Sequence, residues 1–144
     1  MTSSGIVFRG MIVMSIFGAA TAATASGRMA MPPITTVLAS PAACAAEIER
    51  LAAEDRRAVV AKTTAPDGAT REVTLQTDGV RKSPPDRLHY EATLWFHHGR
   101  MRADLGRVEI SHSFETTIRD CVGNTLTIRG ERGYGLATFE PPAR

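Results

Sequence analysis

A strictly alternating run in the middle of the chain limits the folds open to it. From position 88 to 97, apolar residues alternate with polar or amphipathic ones: Leu88, Tyr90, Ala92, Leu94 and Phe96 against His89, Glu91, Thr93, Trp95 and His97. Such alternation is typical of an antiparallel strand with one face on a core and the other in water. We therefore expect an antiparallel sheet with one apolar face to cover.

Further strand and turn patterns surround this run. Residues 58–64 and 71–77 flank the turn sequence Pro66-Asp67-Gly68, which predicts a hairpin. His97-His98-Gly99-Arg100 is expected to end the central strand, and residues 107–114 alternate again. Strands on either side of Gly123-Asn124 and a final run over 134–139 bring the expected total to about six.

The face that Cys121 occupies is ambiguous. A two-residue turn at Gly123-Asn124 places Cys121 on one face with Leu126 and Ile128. Alternation counted from Phe114 places it on the opposite face. One extra residue reverses the side-chain parity of a strand, so we expect a bulge or bend between Phe114 and Arg119.

One helix precedes these strands. Ser40 can cap its first turn, Pro41 suits its first position, and residues 42–54 are rich in Ala, Glu, Leu and Arg. Cys44, Ile48 and Leu51 form an apolar stripe at helical spacing. Asp55 would continue the stripe, so the helix is expected to end or leave the core there.

These patterns predict an α+β domain in which one N-terminal helix packs on an antiparallel sheet of about six strands. A small β-barrel with a helix across it is the alternative. Residues 26–40 are interpreted as a linker because Met31-Pro32-Pro33 interrupts regular structure, although 34–38 could add a short edge strand. The domain is expected over 41–140, followed by a tail over 141–144.

The first 25 residues have the order of a secretory signal peptide. Arg9 precedes an apolar run over 11–20, and Ala23-Thr24-Ala25 fits a cleavage site. A membrane anchor is the main alternative, but a span needs about 20 mostly apolar residues; a lipoprotein with Cys44 at its start ranks below both. The sequence therefore predicts a secreted or periplasmic protein with no membrane span after cleavage.

Cysteine usage and charge fit this location. Cys44 and Cys121 are the two cysteines, and in an oxidising compartment a disulfide is expected rather than two buried thiols. Removal of the signal peptide leaves 16 basic against 15 acidic side chains, a net charge of about +1. This charge does not favour a nucleic-acid partner.

The polar face of the central strand is the candidate functional surface. We expect a non-enzymatic binding module that uses Trp95, Thr93 and His97 to contact an unknown protein or small ligand outside the cytoplasm. No dinucleotide, phosphate-loop or nucleophile-elbow motif occurs, and no cofactor is expected.

Two other functions compete with binding. His89 and Glu91 could form the acid–base pair of a small secreted hydrolase or ribonuclease, assisted by Arg107 or Arg119. His97 and His98 could hold a metal at the strand end in a periplasmic metal-handling protein, although no CxxC or HExxH spacing occurs. His112 is expected to be a hydrogen-bonded core or edge histidine.

Overall fold

One antiparallel sheet and one helix make up the domain. The computed structural model describes residues 27–142. Over this part of the chain the elements are β1 (Arg28–Val37), α1 (Pro41–Arg57), β2 (Val60–Thr64), β3 (Thr70–Thr77), β4 (Arg81–Ser83), β5 (Arg87–Arg102), β6 (Arg107–Val122), β7 (Thr125–Tyr134) and β8 (Thr138–Glu140). The fold class is α+β, as the sequence predicts.

The sheet is open and its main path runs β1-β7-β6-β5-β3-β2. The short strand β4 pairs with β5 beyond the end of β3, and β8 pairs with β6 beyond the end of β7. The eight described strands therefore occupy six positions across the sheet. The predicted number of strands, about six, equals the number of positions, but the prediction did not include β1 and β4 as strands.

The segment expected to be a linker contains an edge strand. Residues 28–37 form β1, which pairs antiparallel with β7, so the helix follows the first strand and is not the N-terminal element. The register breaks between Met31 and Ile34, and Pro32 and Pro33 lie in that break. Proline is tolerated at a bulge in an edge strand because no ladder hydrogen bond is required of it there. The expected linker over 26–40 is therefore wrong for these residues.

The helix begins where the sequence predicts. The Oγ atom of Ser40 accepts a hydrogen bond from the backbone N–H of Ala43 at 3.1 Å, and Pro41 occupies the first turn. The helix continues to Arg57, two residues past Asp55. Asp55 remains buried, because Arg119 lies beneath it and forms an ion pair with it.

The helix covers one face of the sheet, which we call the helix face. Its buried side chains Cys44, Ile48 and Ala52 pack against a cluster from β5, β6 and β7 that contains Tyr90, Ala92, Cys121 and Leu126. The predicted disulfide between Cys44 and Cys121 is present, with a Cα–Cα distance of 6.1 Å, in the usual range. It joins the first turn of α1 to the end of β6, beside the β6–β7 turn.

The two longest strands pair without interruption. Every residue of β5 has a partner in β6, from Arg87 with Val122 to Arg102 with Arg107. The predicted end of the strand at 97–100 is therefore wrong, as is the predicted bulge between Phe114 and Arg119. Phe114 and Cys121 lie on opposite faces, and both are buried. The chain buries different faces of the same strands at their two ends.

The face opposite the helix, which we call the outer face, curls inward at the end distant from the helix. Strands β2 and β8 are separated by three strands, which corresponds to about 19 Å in a flat sheet. Lys62 of β2 and Glu140 of β8 nevertheless form an ion pair at 2.8 Å. Even two long side chains would not meet across a flat sheet, so the sheet is curved here. The backbones of β2 and β8 do not pair, and the barrel alternative is not realised.

Gly99 permits this curvature. It lies on the outer face opposite Thr70 and Ile110. A Cβ atom at this position would collide with Thr70 Oγ1 and lie 2.9 Å from a methyl group of Val108. Val108, Ile110 and Phe114 are buried on the same concave side. The absence of a side chain at Gly99 therefore lets these strands and side chains approach closely.

Candidate binding face

The predicted functional side chains share the outer face. His89, Glu91, Thr93, Trp95 and His97 alternate along β5 and point away from α1, and their cross-strand partners on β6 are Asp120, Ile118, Thr116, Phe114 and His112. The helix packs on the opposite side of the sheet and does not cover this face. In the described residues, the curvature of the sheet itself forms the walls around it. The result is a concave surface lined by polar and aromatic groups.

Trp95 lies at the centre of this surface. Its ring stacks nearly parallel to the ring of His97, with centroids 6.5 Å apart, and contacts Phe114 at 5.1 Å. Phe114 is buried, whereas Trp95 keeps part of its surface exposed. The Thr93 and Thr116 hydroxyls, one step along the strands, lie 2.9 Å apart and hydrogen-bond to each other. An aromatic platform with neighbouring hydroxyl groups is therefore present around Trp95.

His89 is paired with a carboxylate that the sequence analysis did not select. Its Nδ1 atom lies 2.8 Å from Asp120 Oδ1, which also accepts two hydrogen bonds from Arg87 at 2.8 and 3.2 Å. Arg129 lies 3.5 Å from the other oxygen of Asp120. Burial raises the pKa of Asp120, but the hydrogen bonds from His89 and Arg87 outweigh burial and lower it below its usual value.

Glu91 is near His89 but does not hydrogen-bond to it. The closest approach is 3.8 Å, between His89 Nε2 and Glu91 Oε2, and the Glu91 side chain is 57% exposed. His89 and Glu91 border a cavity of about 220 Å³ together with Thr93, Gln76, Asp78 and Arg81. The carboxylate that hydrogen-bonds to His89 is therefore that of Asp120, while Glu91 lines the cavity beside His89.

The two histidines of the predicted metal corner point to opposite faces. His98 lies on the helix-face side of β5 and is exposed. His97 meets His112 instead, with their Nδ1 atoms 2.7 Å apart, and His112 Nε2 lies 2.8 Å from Thr138 Oγ1. In residues 27–142, no group of three or more His, Cys, Asp or Glu side chains is arranged to hold a metal ion.

The His97–His112 pair borders a second cavity of about 170 Å³, with Glu72, Lys62, Glu140, Thr70 and Ile110 in its walls. Burial is the main reason that the pKa of His112 lies below its usual value, and the charge of His97 lowers it further. Trp95 lies between this cavity and the one beside Glu91, since it occupies the position between Thr93 and His97 on the same face.

The two arginines considered for a ribonuclease lie elsewhere. Arg119 is buried on the helix face, where it pairs with Asp55 and its guanidinium lies 5.3 Å from the ring centre of Tyr90. Arg107 pairs with Arg102 at the far end of the β5–β6 hairpin. Neither can reach the cavity beside His89.

Comparison with known proteins gives no guide to this surface. No family model, no curated protein and no solved structure matches the chain. The function therefore has to be inferred from the outer face itself.

The predicted secreted or periplasmic location is supported only in part. The Cys44–Cys121 disulfide is compatible with an oxidising location. The helix described in residues 27–142, α1, is neither long enough nor apolar enough to cross a membrane. The predicted signal peptide over 1–25 lies outside the described residues.

Proposed function

We propose that this protein is an exported, non-enzymatic binding domain that receives its ligand on the outer face around Trp95. The position of Trp95 carries the proposal: its partly exposed ring lies on a concave face between two polar cavities. Binding sites typically combine a concave apolar platform with a few oriented polar groups. A tryptophan supplies a large contact area with little loss of side-chain entropy.

The charges around this face indicate what kind of ligand fits it. Most of them are already neutralised by a neighbour, in the pairs Arg28–Glu131, Arg81–Asp78, Arg87–Asp120 and Lys62–Glu140. A charged ligand would have to displace one of these partners. The groups closest to Trp95 include hydroxyls and an amide, from Thr93, Thr116, Thr74 and Gln76. These groups favour an uncharged ligand rich in hydroxyls, with a flat face that can lie on the indole, such as a sugar ring.

Export follows from the sequence. The signal peptide expected over 1–25 would direct the chain out of the cytoplasm, and the disulfide fits an oxidising compartment. A neutral sugar polymer or oligosaccharide is a ligand that an exported domain would encounter there.

Trp95 also supplies the test, because it is the single tryptophan of the chain. The mature protein is titrated with neutral oligosaccharides (maltopentaose, cellopentaose and chitopentaose), and binding is followed by tryptophan emission and by calorimetry. We expect at least one of them to shift the emission and release heat. Trp95→Ala should abolish that heat, whereas Tyr134→Ala, at a 74% exposed aromatic residue on the helix-face side, should retain it.

Two outcomes count against this proposal. Binding that is undiminished in Trp95→Ala would place the ligand elsewhere on the protein. If none of the three oligosaccharides binds, while a charged peptide or another protein perturbs Trp95 emission, the sugar assignment is wrong and the face serves a different partner.

A hydrolase remains the second candidate, and the His89–Asp120 contact is the observation that favours it. A carboxylate on Nδ1 orients an imidazole and leaves Nε2 free to move a proton, and here Nε2 lies beside the cavity that contains Glu91. This candidate predicts turnover of RNA or an ester substrate with a histidine-dependent pH profile. His89→Gln should abolish that turnover, and His98→Gln, on the opposite face, should not.

A further inference from the structure

The free edge of β1 is the longer of the two edges at the ends of the main sheet path. Among the described strands β1 pairs with β7 alone, and all of its residues except Met31 are exposed. Its large apolar side chains Met29, Ile34 and Val37 are 60%, 62% and 70% exposed. An exposed edge strand with apolar side chains is a surface on which a further strand can pair.

The same segment carries no charge. No Asp, Glu, Lys, Arg or His occurs from Met29 to Ala46, in a chain of which 22% of the residues are charged. This run contains all of β1 after Arg28 and continues into the start of α1. Arg28 itself forms an ion pair with Glu131 of the neighbouring strand β7. Depletion of charged residues distinguishes the centre of a protein–protein interface from the rest of a protein surface.

The opposite edge of the sheet is protected against strand pairing. Strand β2 has only five residues, its register with β3 is irregular, and it carries Lys62. Short length, bulges and lysine are the features that prevent association at an edge strand. In β1 the corresponding features are Pro32 and Pro33, but beyond them residues 34–37 pair regularly with β7. Residues 34–37 are therefore the unprotected part of the sheet edge.

The backbone groups of this segment alternate between the two sides of the strand. The N–H of Leu38 donates to the Asn124 carbonyl at 2.8 Å, and the Leu38 carbonyl accepts from the Asn124 side-chain amide at 3.0 Å. In an antiparallel ladder the N–H and C=O of one residue point to the same side, and those of the next residue point to the other. Thr36 therefore faces β7, as Leu38 does. The N–H and C=O groups of Thr35 and Val37 point away from the sheet.

We propose that two copies of this chain associate through β1, about a two-fold axis at Thr36, to form one continuous antiparallel sheet. In this register Thr35 of each copy pairs with Val37 of the other, and the outward N–H and C=O groups of both residues are all satisfied. Thr36 pairs with Thr36 of the second copy, which is a favourable cross-strand pair, and Ile34 pairs with Leu38 of the second copy. No two like charges are brought together. Because the axis is perpendicular to the sheet, the outer faces of both copies lie on the same side.

The small contact predicts a weak dimer. Each copy contributes one strand edge, so the interface belongs to the class that buries less than about 1,200 Å². In sedimentation equilibrium of the disulfide-bonded mature protein, the average mass should rise from the monomer value toward twice that value between about 10 μM and about 1 mM, the range of weak association.

Thr35→Pro is the sharpest variant, because it removes an outward N–H and leaves the hydrogen bonds between β1 and β7 in place. It should remain monomeric over the whole concentration range, with an unchanged circular dichroism spectrum. Thr35→Lys, which adds a charge to the edge, should have the same effect if the proline disturbs the fold. Thr63→Lys, the same substitution on β2, is the matched control and should dimerise like the wild type.

The register provides an independent test. Directly opposed residues of a non-hydrogen-bonded pair have Cα atoms about 4.5 Å apart, and a disulfide spans Cα distances of about 4.4–6.8 Å. Thr36→Cys should therefore form a cross-linked dimer under mild oxidation, whereas Thr63→Cys, at the opposite edge, should not. Mass spectrometry after proteolysis should show that Cys44 and Cys121 remain joined to each other in both variants.

Four results would overturn the proposal. A wild-type mass that stays at the monomer value over the whole range would mean that β1 does not bind a second copy, and capture of a strand from another protein by this monomer would assign the edge to a different partner. A dimer that persists in both Thr35→Pro and Thr35→Lys would place the contact elsewhere. A mass that rises beyond the dimer would indicate open-ended association in place of a closed two-fold contact. Dimerisation without a cross-link in Thr36→Cys would exclude the register.

Discussion

The buried ion pair between Asp55 and Arg119 offers the sharpest test of how the helix is held on the sheet. Both side chains are almost fully buried, at 11% and 9% exposure, between α1 and β6. The guanidinium also lies against the ring of Tyr90. We expect Asp55→Ala and Arg119→Met to lower the free energy of unfolding strongly, because each leaves an opposite charge buried without its partner.

The magnitude follows from that burial. Removal of one member of a buried pair costs about 3–5 kcal/mol, whereas replacement of both by apolar groups is often close to neutral. The double variant Asp55→Ala/Arg119→Met should therefore be less destabilised than either single variant. It should still be less stable than the wild type, because it loses the contact with Tyr90 and leaves a cavity beside the helix.

Urea unfolding followed by far-UV circular dichroism gives the three free energies for a double-mutant cycle. Glu47→Ala, which breaks a solvent-exposed pair with Arg50 on α1, is the matched control and should have a much smaller effect. If the two single effects simply add in the double variant, Asp55 and Arg119 do not interact, and this account of the helix–sheet contact is wrong.

Three further predictions concern the Cys44–Cys121 disulfide, the pKa of His112 and the sheet curvature at Gly99. Loss of the disulfide in Cys44→Ala/Cys121→Ala should lower the free energy of unfolding by up to about 4.5 kcal/mol, the chain-entropy value for a separation of 77 residues, as urea unfolding will show. The lowered pKa of His112 means that the folded state disfavours its charged form, so stability should be complete above about pH 6.5 and decline below it. His112→Gln should flatten that decline in unfolding curves measured from pH 7 to pH 5, and a slope equal to that of wild type would refute the assignment. Gly99→Ala should cost about 1–3 kcal/mol through overpacking against Thr70 and should change Trp95 emission; an unchanged melting temperature would show that Gly99 is not needed for the curl.

Local signals in the sequence were sufficient for the fold class. The Ser40-Pro41 cap, the alternation of 88–96 and the turn at Pro66-Asp67-Gly68 each act within a few residues, and the structure contains all three features. The expected linker failed because two consecutive prolines interrupt most strands. They are tolerated in β1 because its register breaks at that point, and nothing local to the sequence reveals such a break.

The candidate site was only partly predictable, because its closest contacts run across strands. Along one strand, side chains on the same face are about 7 Å apart, whereas directly paired residues on neighbouring strands are about 5 Å apart. His89 therefore meets Asp120 rather than Glu91, and His97 meets His112 rather than His98. Knowledge that β5 and β6 pair without a bulge would have located both partners, but a single sequence leaves that register open.

The ambiguous face of Cys121 has a consequence for function. The expectation of a bulge assumed that the sheet has one buried face, so that Phe114 and Cys121 would both have to point to it. The sheet instead buries its helix face near Cys121 and its outer face near Phe114. Between these two regions, at Ile118 and Thr116, the outer face is only partly covered. The polar side chains of β5 gather along this stretch, with Trp95 at its inner end, so the change of buried face creates the concave surface that we propose binds a ligand.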